Sequence, residues 1–263
     1  MILRHRVALN GVQLDELDER ILVLGVNDGA AKEAVSTVSL FGGVGQRVTA
    51  RHRESLDVIV RFGLRIKAGD LQGRSELFER VAGWAAGGGW LTVNYRPNRR
   101  IYVTCAQLPA AGDLAEWNGE YSITFRAYGV PYWMQESITN FAVESTRGAT
   151  RWLTVPGTAD TVLEVNATNL SGMEIATATI QAGGGVIALE NLHLGPWEIL
   201  ALDHDENGLL RIRIAGANGW RSAMACRTAW SSDDLTVSPG AVAVTFTAQR
   251  AVQLVVGCYG RYA

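Results

Sequence analysis

The run Asp203-His204-Asp205-Glu206-Asn207-Gly208 sets oxygen-bearing side chains at alternate positions before a glycine, as in the first half of a calcium loop. The second half is missing. The position where a bidentate glutamate should close the cage is Ile214, and strand-like sequence rather than helices flanks the loop. A hairpin turn ending in Asn-Gly uses the same residues without a cation, so no metal is expected.

Nucleophilic catalysis needs a serine or cysteine within reach of an oriented base. No Gly-x-Ser-x-Gly elbow occurs, and the 4 histidines stand apart, with His193 and His204 in loop-like or turn-like settings. Asp15-Glu16 and Asp233-Asp234 read as solvated faces or turns. Gly42, Gly43 and Gly45 lack the third spaced glycine and the lysine of dinucleotide and phosphate loops, so a flexible loop is the expectation there. Asn166-Ala167-Thr168 and Asn169-Leu170-Ser171 match glycosylation acceptors, a pattern that matters only in a secreted eukaryotic protein. The expectation is a chain with no catalytic residues and no cofactor.

Among the 8 tryptophans, Trp197, Trp220 and Trp230 of the second half could offer stacking faces to a sugar or anchors to a partner. With Arg221 they form the candidate contact set. The competing reading buries each of them in a core.

These groups need a scaffold, and its pattern is mainly β. Val7 to Leu9, the turn Asn10-Gly11 and Ile21 to Val26 open the chain. From Leu56 to Ile66 every even position is apolar, while Asp57, Arg61 and Arg65 take odd ones, which predicts a strand with one wet face. Between Asp70 and Ala86 the period changes. Leu77, Phe78, Val81, Trp84 and Ala85 fall at helical spacing, with Asp70 as N-cap, Glu76 and Arg80 as an i,i+4 ion pair, and Gly87-Gly88-Gly89 as the stop. Leu77, Phe78, Val81 and Trp84 are therefore predicted to dock this helix on a sheet. Trp90 to Tyr95, Arg99 to Thr104 and Tyr121 to Tyr128 continue as strands.

Gln135 to Arg151 is mixed and polar without firm periodicity, which places a domain boundary near Phe141 and predicts domains of residues 1–140 and 141–263. Beyond Trp152 only short strands are predicted: Val162 to Val165, Ile175 to Ile180, Val186 to Leu189, Trp197 to Leu202, Leu209 to Ile214, Val242 to Phe246 and Val252 to Val256. Many short strands without a helix point to an antiparallel sandwich.

Composition narrows the remainder. The 263 residues are 48% hydrophobic and 19% charged, which is globular, and a net charge of -2 without a run of like charges excludes sustained nucleic-acid binding. No apolar run has transmembrane length, and none of signal-peptide length follows Arg4, His5 and Arg6. Cys105, Cys226 and Cys258 are odd in number and widely separated, as reduced core thiols would be in a protein made and kept in a reducing cytoplasm.

From Arg61 to Trp133 the order of elements resembles the phage distal tail protein family, a hub component of siphovirus tail tips. It is carried by the alternating strand, the helix Arg74 to Trp84, Trp90-Leu91, the turn Asn94-Tyr95-Arg96-Pro97, Gly112-Asp113-Leu114 leading into Trp117, Tyr121 to Phe125, and Pro131-Tyr132-Trp133. Gly208-Leu209-Leu210, Gly219-Trp220-Arg221-Ser222, Ser231 to Leu235 and Pro239-Gly240 resemble that family's galectin-like sandwich. The resemblance implies an N-terminal barrel-like or sandwich-like β domain that closes a homohexameric ring on the tail-tube axis. It also implies a C-terminal galectin-like β-sandwich that holds baseplate, tail-tip or receptor-binding proteins. Such a protein is assembled in the host cytoplasm and resides in the virion. The alternative is a carbohydrate-binding adhesion module in which the sandwich does the work.

Overall fold

The computed structural model describes residues 5–29, 33–39, 46–67, 69–109 and 120–263. The glycine patch Gly42, Gly43 and Gly45 and the stretch Gly112-Asp113-Leu114 with Trp117 lie outside the described residues. The chain divides into two compact units, Met1–Trp133 with Ala263, and Met134–Tyr262.

In the first unit, β1 (Val7–Leu9) and β2 (Val12–Gln13) form a hairpin through Asn10 and Gly11, both at positive φ, as a type I′ turn requires. There follow β3 (Ile21–Asp28), β4 (Glu33–Ser39), β5 (Gln46–Arg53), β6 (Leu56–Leu64), helix α1 (Leu71–Ala86), β7 (Gly89–Val93), β8 (Arg99–Gln107) and β9 (Glu120–Ala127). Except for β4 and β5, these strands join one antiparallel sheet in the order β2-β1-β7-β8-β9-β6-β3. β4 and β5 form a separate hairpin.

The even positions of β6 from Leu56 to Leu64 are all buried, as their alternation predicts; the strand ends there, so Ile66 lies outside it. Its partner β9 buries Tyr121, Ile123, Phe125 and Ala127 on the same face. Helix α1 covers that face. Leu77, Val81 and Ala85 are buried without residue, and half-buried Phe78 and Trp84 meet Tyr121 and Phe125 edge-on at ring separations of 4.8 and 5.8 Å. These edge-to-face contacts are the arrangement that the ring quadrupole favours.

Asp70 caps the helix by accepting a hydrogen bond from the Gly73 amide at 2.8 Å. At the other end Gly88 and Gly89 take positive φ, and a side chain on Gly88 would strike the Val103 carbonyl. Asn10 clamps this exit: its side chain donates to the Gly88 carbonyl and accepts from the Trp90 amide. The expected Glu76–Arg80 pair does not form. Arg80 reaches Asp18 at 3.2 Å and Glu76 pairs with Gln72, because Asp18 is already oriented by Arg20 and offers a more favourable acceptor.

Hydrogen bonds from the Arg20 side chain and amide hold the Asp18 carboxyl well below its ordinary value of about 3.9. A carboxylate with a lowered folded-state pKa contributes stability above the unfolded value and loses it as pH falls. Asp18→Asn is therefore expected to lower the melting temperature of the first unit at neutral pH, with the difference from wild type closing in acid below about pH 4. Thermal melts of both proteins across that range check this; a gap independent of pH would assign the effect to packing.

In the second unit most of the polar stretch read as aperiodic, Gln135 to Arg151, is a strand. After β10 (Trp133–Gln135), which spans the division between units, β11 (Thr139–Val155) is 17 residues long and pairs along its length with the 19-residue β19 (Gly240–Cys258). The predicted strands Val242 to Phe246 and Val252 to Val256 are two halves of β19. Between them lie β12 (Thr161–Asn169), β13 (Ala178–Ala182), β14 (Gly185–Leu189), β15 (Ile199–His204), β16 (Leu210–Gly216), β17 (Gly219–Ser222) and β18 (Thr236–Val237), and β20 (Arg261–Tyr262) ends the chain.

The long ribbon explains the sandwich. The first half of β19 pairs with β13, continuing to β14, while its second half pairs with β12, continuing to β15, β16 and β17. Register shifts in β11 around Thr146 coincide with the break in β19 between these halves, so one ribbon bends and serves two layers. Both layers turn their apolar positions inward to a common core that includes Val165, Ile180, Leu200, Phe246 and Leu254. Ile175 and Trp197 lie just outside the strands predicted to hold them.

Candidate functional site

The end of β12 organises a rim of loops on the second unit. Asn169, fully buried, donates from Nδ2 to the carbonyls of Met173, Leu194 and Gly195 at 2.9 to 3.0 Å, and its Oδ1 accepts from the Ser171 amide and hydroxyl. Its backbone carbonyl accepts from the Trp197 amide, and its amide donates to the Glu198 carbonyl. One side chain thereby fixes the β12–β13 loop against the β14–β15 loop. Asn191, His193 and Trp197 in the latter all have positive φ, which is unfavourable for a residue as bulky as tryptophan and persists only where the surroundings enforce it.

Glu198 is the next tie. It accepts both arms of the Arg221 guanidinium at 2.6 and 2.8 Å and the Gly195 amide at 2.7 Å, while Arg221 also donates to the His193 carbonyl. The Arg221 hydrogen bonds hold the Glu198 carboxyl below its usual range and hold the guanidinium charged. His193 pairs with Glu174 in solvent. Around this frame Trp197 (72%) and Trp220 (55%) are exposed, as is Met173, so the core reading of these tryptophans is overturned. The reason is local. The indole of Trp197 leaves a strained loop outside the strands, and Trp220 lies on the outer face of edge strand β17, where Arg213 covers its ring at 4.3 Å.

The structure ties Arg221 to the Trp197 loop through Glu198 and the His193 carbonyl, while Trp220, its neighbour on β17, projects from the opposite face of that strand. Trp230 is elsewhere, exposed at 64% in the β17–β18 connection that runs beside β14 through the Thr228 amide to Ala188 carbonyl bond. Leu77, Phe78, Val81 and Trp84 belong to the helix interface of the first unit; the Trp84 indole nitrogen also donates to the Val12 carbonyl at 2.9 Å.

The calcium-like string is the β15–β16 hairpin. Asp203 is held by Arg211 and Arg213, and Asp205 accepts the amides of Asn207 and Leu209. Both carboxylates are committed inside the protein. His204, expected in a turn, ends β15 with its side chain buried and its Nε2 3.0 Å from both oxygens of Asp234. Of the thiols only Cys258 is fully buried; burial pushes it up to about 11 and raises Cys105 as well, so both stay protonated and weakly nucleophilic at neutral pH. Cys226 is half-buried, with its sulfur 3.3 Å from the Asn191 carbonyl. Among the described residues no helix is long and apolar enough to cross a membrane.

Two residues escaped the sequence reading. Asn169 was visible only as half of a glycosylation pattern; the same Asn-x-Ser spacing supports an Asx turn, which is how it is used. Trp152, at 70% exposure on β11, stands just past the aperiodic stretch Gln135 to Arg151 and was given no role.

No protein-family model and no curated protein sequence matches the chain. Among solved structures it is similar to the Dit (gp 19.1) protein of phage SPP1, described as a paradigm of the hub adsorption apparatus in phages that infect Gram-positive bacteria. The identity is 12%, 98% of this chain and 99% of that chain are covered, and the TM-score is 0.69. It is also similar to a chain of the phage P2 baseplate in its activated conformation with calcium, at 8% identity, 97% and 98% coverage and a TM-score of 0.52. At such identities the likeness is one of fold. The resemblance to the distal tail family is borne out at that level: the chain has the Dit fold over nearly its whole length.

Proposed function

We propose that this chain is a structural component of a long-tailed phage or prophage tail tip, a hub subunit that closes into a homohexameric ring between the tail tube and baseplate or adhesion proteins. It is assembled in the host cytoplasm, resides in the virion and performs no catalysis. The observation that carries this reading is a fold shared over 98% of this chain and 99% of a phage hub protein.

Features of the first unit fit a ring subunit. Among the described residues β3 pairs only with β6, leaving an edge with Leu24 exposed, and the β4–β5 hairpin stands outside the main sheet with Val35, Val38 and Val48 exposed. A lone two-stranded hairpin is marginal in water and an open edge invites pairing, so contact with a neighbouring subunit would satisfy both. A ring requires such a head-to-tail contact. On the second unit, exposed Trp197 and Met173 on the loops that Asn169 and Arg221 hold, with exposed Trp220 on the outer face of the adjoining edge strand, have the composition of a protein-binding hot spot. We assign this rim, with Trp230 as an outlying contact, to the baseplate or adhesion partner.

Negative-stain microscopy of the purified chain is expected to show rings with a central opening, and light scattering a mass of about six chains. Expressed separately, residues 1–133 should self-associate and residues 134–263 should not. A well-folded full-length monomer at high concentration would sink the ring reading.

A further inference from the structure

Trp152 of β11 lies directly across from Ala243 of β19, and Thr150 lies across from Thr245. Cross-strand partners share a face, so these four point outward from a layer whose inner face carries Leu153, Val244 and Phe246. The Trp152 indole is 70% exposed and stands over alanine rather than a large neighbour. The Thr150 and Thr245 hydroxyls are 3.0 Å apart, and on the next strand Gln181 faces Thr245.

Past Ala182 the β13–β14 hairpin turns through Gly183 and Gly184, both at positive φ, and its tip leans toward β18 so closely that a side chain on Gly183 would strike the Thr236 carbonyl. This leaves a shallow groove lined by Gln181, Gly183, Gly184, Ala241, Ala243 and Thr245. No charged side chain lines it.

We propose that this groove, together with the Trp152 face beside it, binds a neutral saccharide. A pyranose presents an apolar C–H face and a rim of hydroxyls. The first stacks on an exposed indole; the second pairs with neutral groups that both donate and accept, which threonine hydroxyls and a glutamine amide do. A floor of alanine and glycine lets the ring approach the backbone. The lack of charge in the groove offers nothing to a phosphate or an acidic peptide. This site is separate from the Trp197 rim and does not rest on the ring assignment.

The test uses the full chain and follows intrinsic fluorescence and calorimetry during titration with β-1,4-linked tetramers of glucose, N-acetylglucosamine and galactose, with tetragalacturonate as the charged control. At least one neutral tetramer is expected to bind. Trp152→Ala should weaken that binding about tenfold, Trp152→Phe should retain most of it, and Trp197→Ala should leave it unchanged. An exposed strand position should keep its melting temperature in these variants; Gln181→Ala provides a second route, lowering affinity through the hydrogen-bonding side alone. Failure of all three neutral tetramers to bind, binding that survives Trp152→Ala, or equal binding of the charged control would overturn the proposal. Loss of ring formation with saccharide binding intact would count against the hub reading only.

Discussion

Replacing Leu77 with alanine is expected to cost the first unit about 2–5 kcal/mol, seen as a lower denaturation midpoint with an unchanged slope. Leu77 is fully buried in α1, whose Phe78 and Trp84 pack on β6 and β9, and the rigid sheet below has little scope to collapse into the space left. Trp84→Ala should cost less despite its larger volume. Trp84 is half-buried, and its removal forfeits one edge-on contact with Phe125 and one hydrogen bond to the Val12 carbonyl, together about 1–3 kcal/mol. Urea unfolding of the two variants, read by far-ultraviolet circular dichroism, distinguishes them. If Trp84→Ala were the more damaging, the helix would be held by its tether to the β1–β2 hairpin rather than by its buried stripe.

That helix was legible because two periodicities meet around it. The even positions of β6 repeat at two and the buried positions of α1 at three and four, and each period reports one face buried against the other. Gly88 and Gly89 were legible as a stop for the same local reason: positive φ is a property of the residue as much as of the fold. β11 was not legible. Its first half leaves Asn140, Ala142 and Glu144 exposed and only partly buries Phe141 and Val143, so hydrophobic alternation is faint, and what holds it is backbone pairing with the distant β19.

The tryptophans illustrate a different limit. Residue type reports the average environment of an indole, but Trp197 is exposed because Asn169 and Glu198 hold its loop in a strained conformation, and Trp220 because β17 is an edge strand. Neither circumstance leaves a local pattern. Arg80 is similar: the helix-surface rule paired it with Glu76, whereas a distant aspartate oriented by Arg20 competes better. The function was less legible still, since turns and core positions rather than reactive groups carry the likeness to phage hub proteins. Each is weak by itself, and their order along the chain supplies the specificity.

Asn169→Ala is expected to destabilise the second unit by about 2–3 kcal/mol, a large effect for a single polar substitution. The side chain is fully buried; its loss removes one donor each from the carbonyls of Met173, Leu194 and Gly195, which keep the Ser171 hydroxyl, the Ile175 amide and the Glu198 amide, and it removes the acceptor of the Ser171 amide. Of these groups the Ser171 amide is the one left without a partner, at about 1–3 kcal/mol, and the weakened ties of the three carbonyls add to it. Asn169→Asp should be at least as harmful near neutral pH: it keeps the acceptor for Ser171 but turns a carboxylate oxygen toward three carbonyls. Ser171→Ala, which removes one hydroxyl from the same network, should cost only about 1 kcal/mol. The three variants therefore rank by the donors they remove. The rim should follow the core, because the Trp197 amide and the Glu198 carbonyl bond to the backbone of this same residue. Urea midpoints test the ranking, and proteolysis between β14 and β15 tests the coupling. An Asn169→Ala protein as stable as wild type would mean that water replaces the amide, and the strained Trp197 loop would then need another anchor.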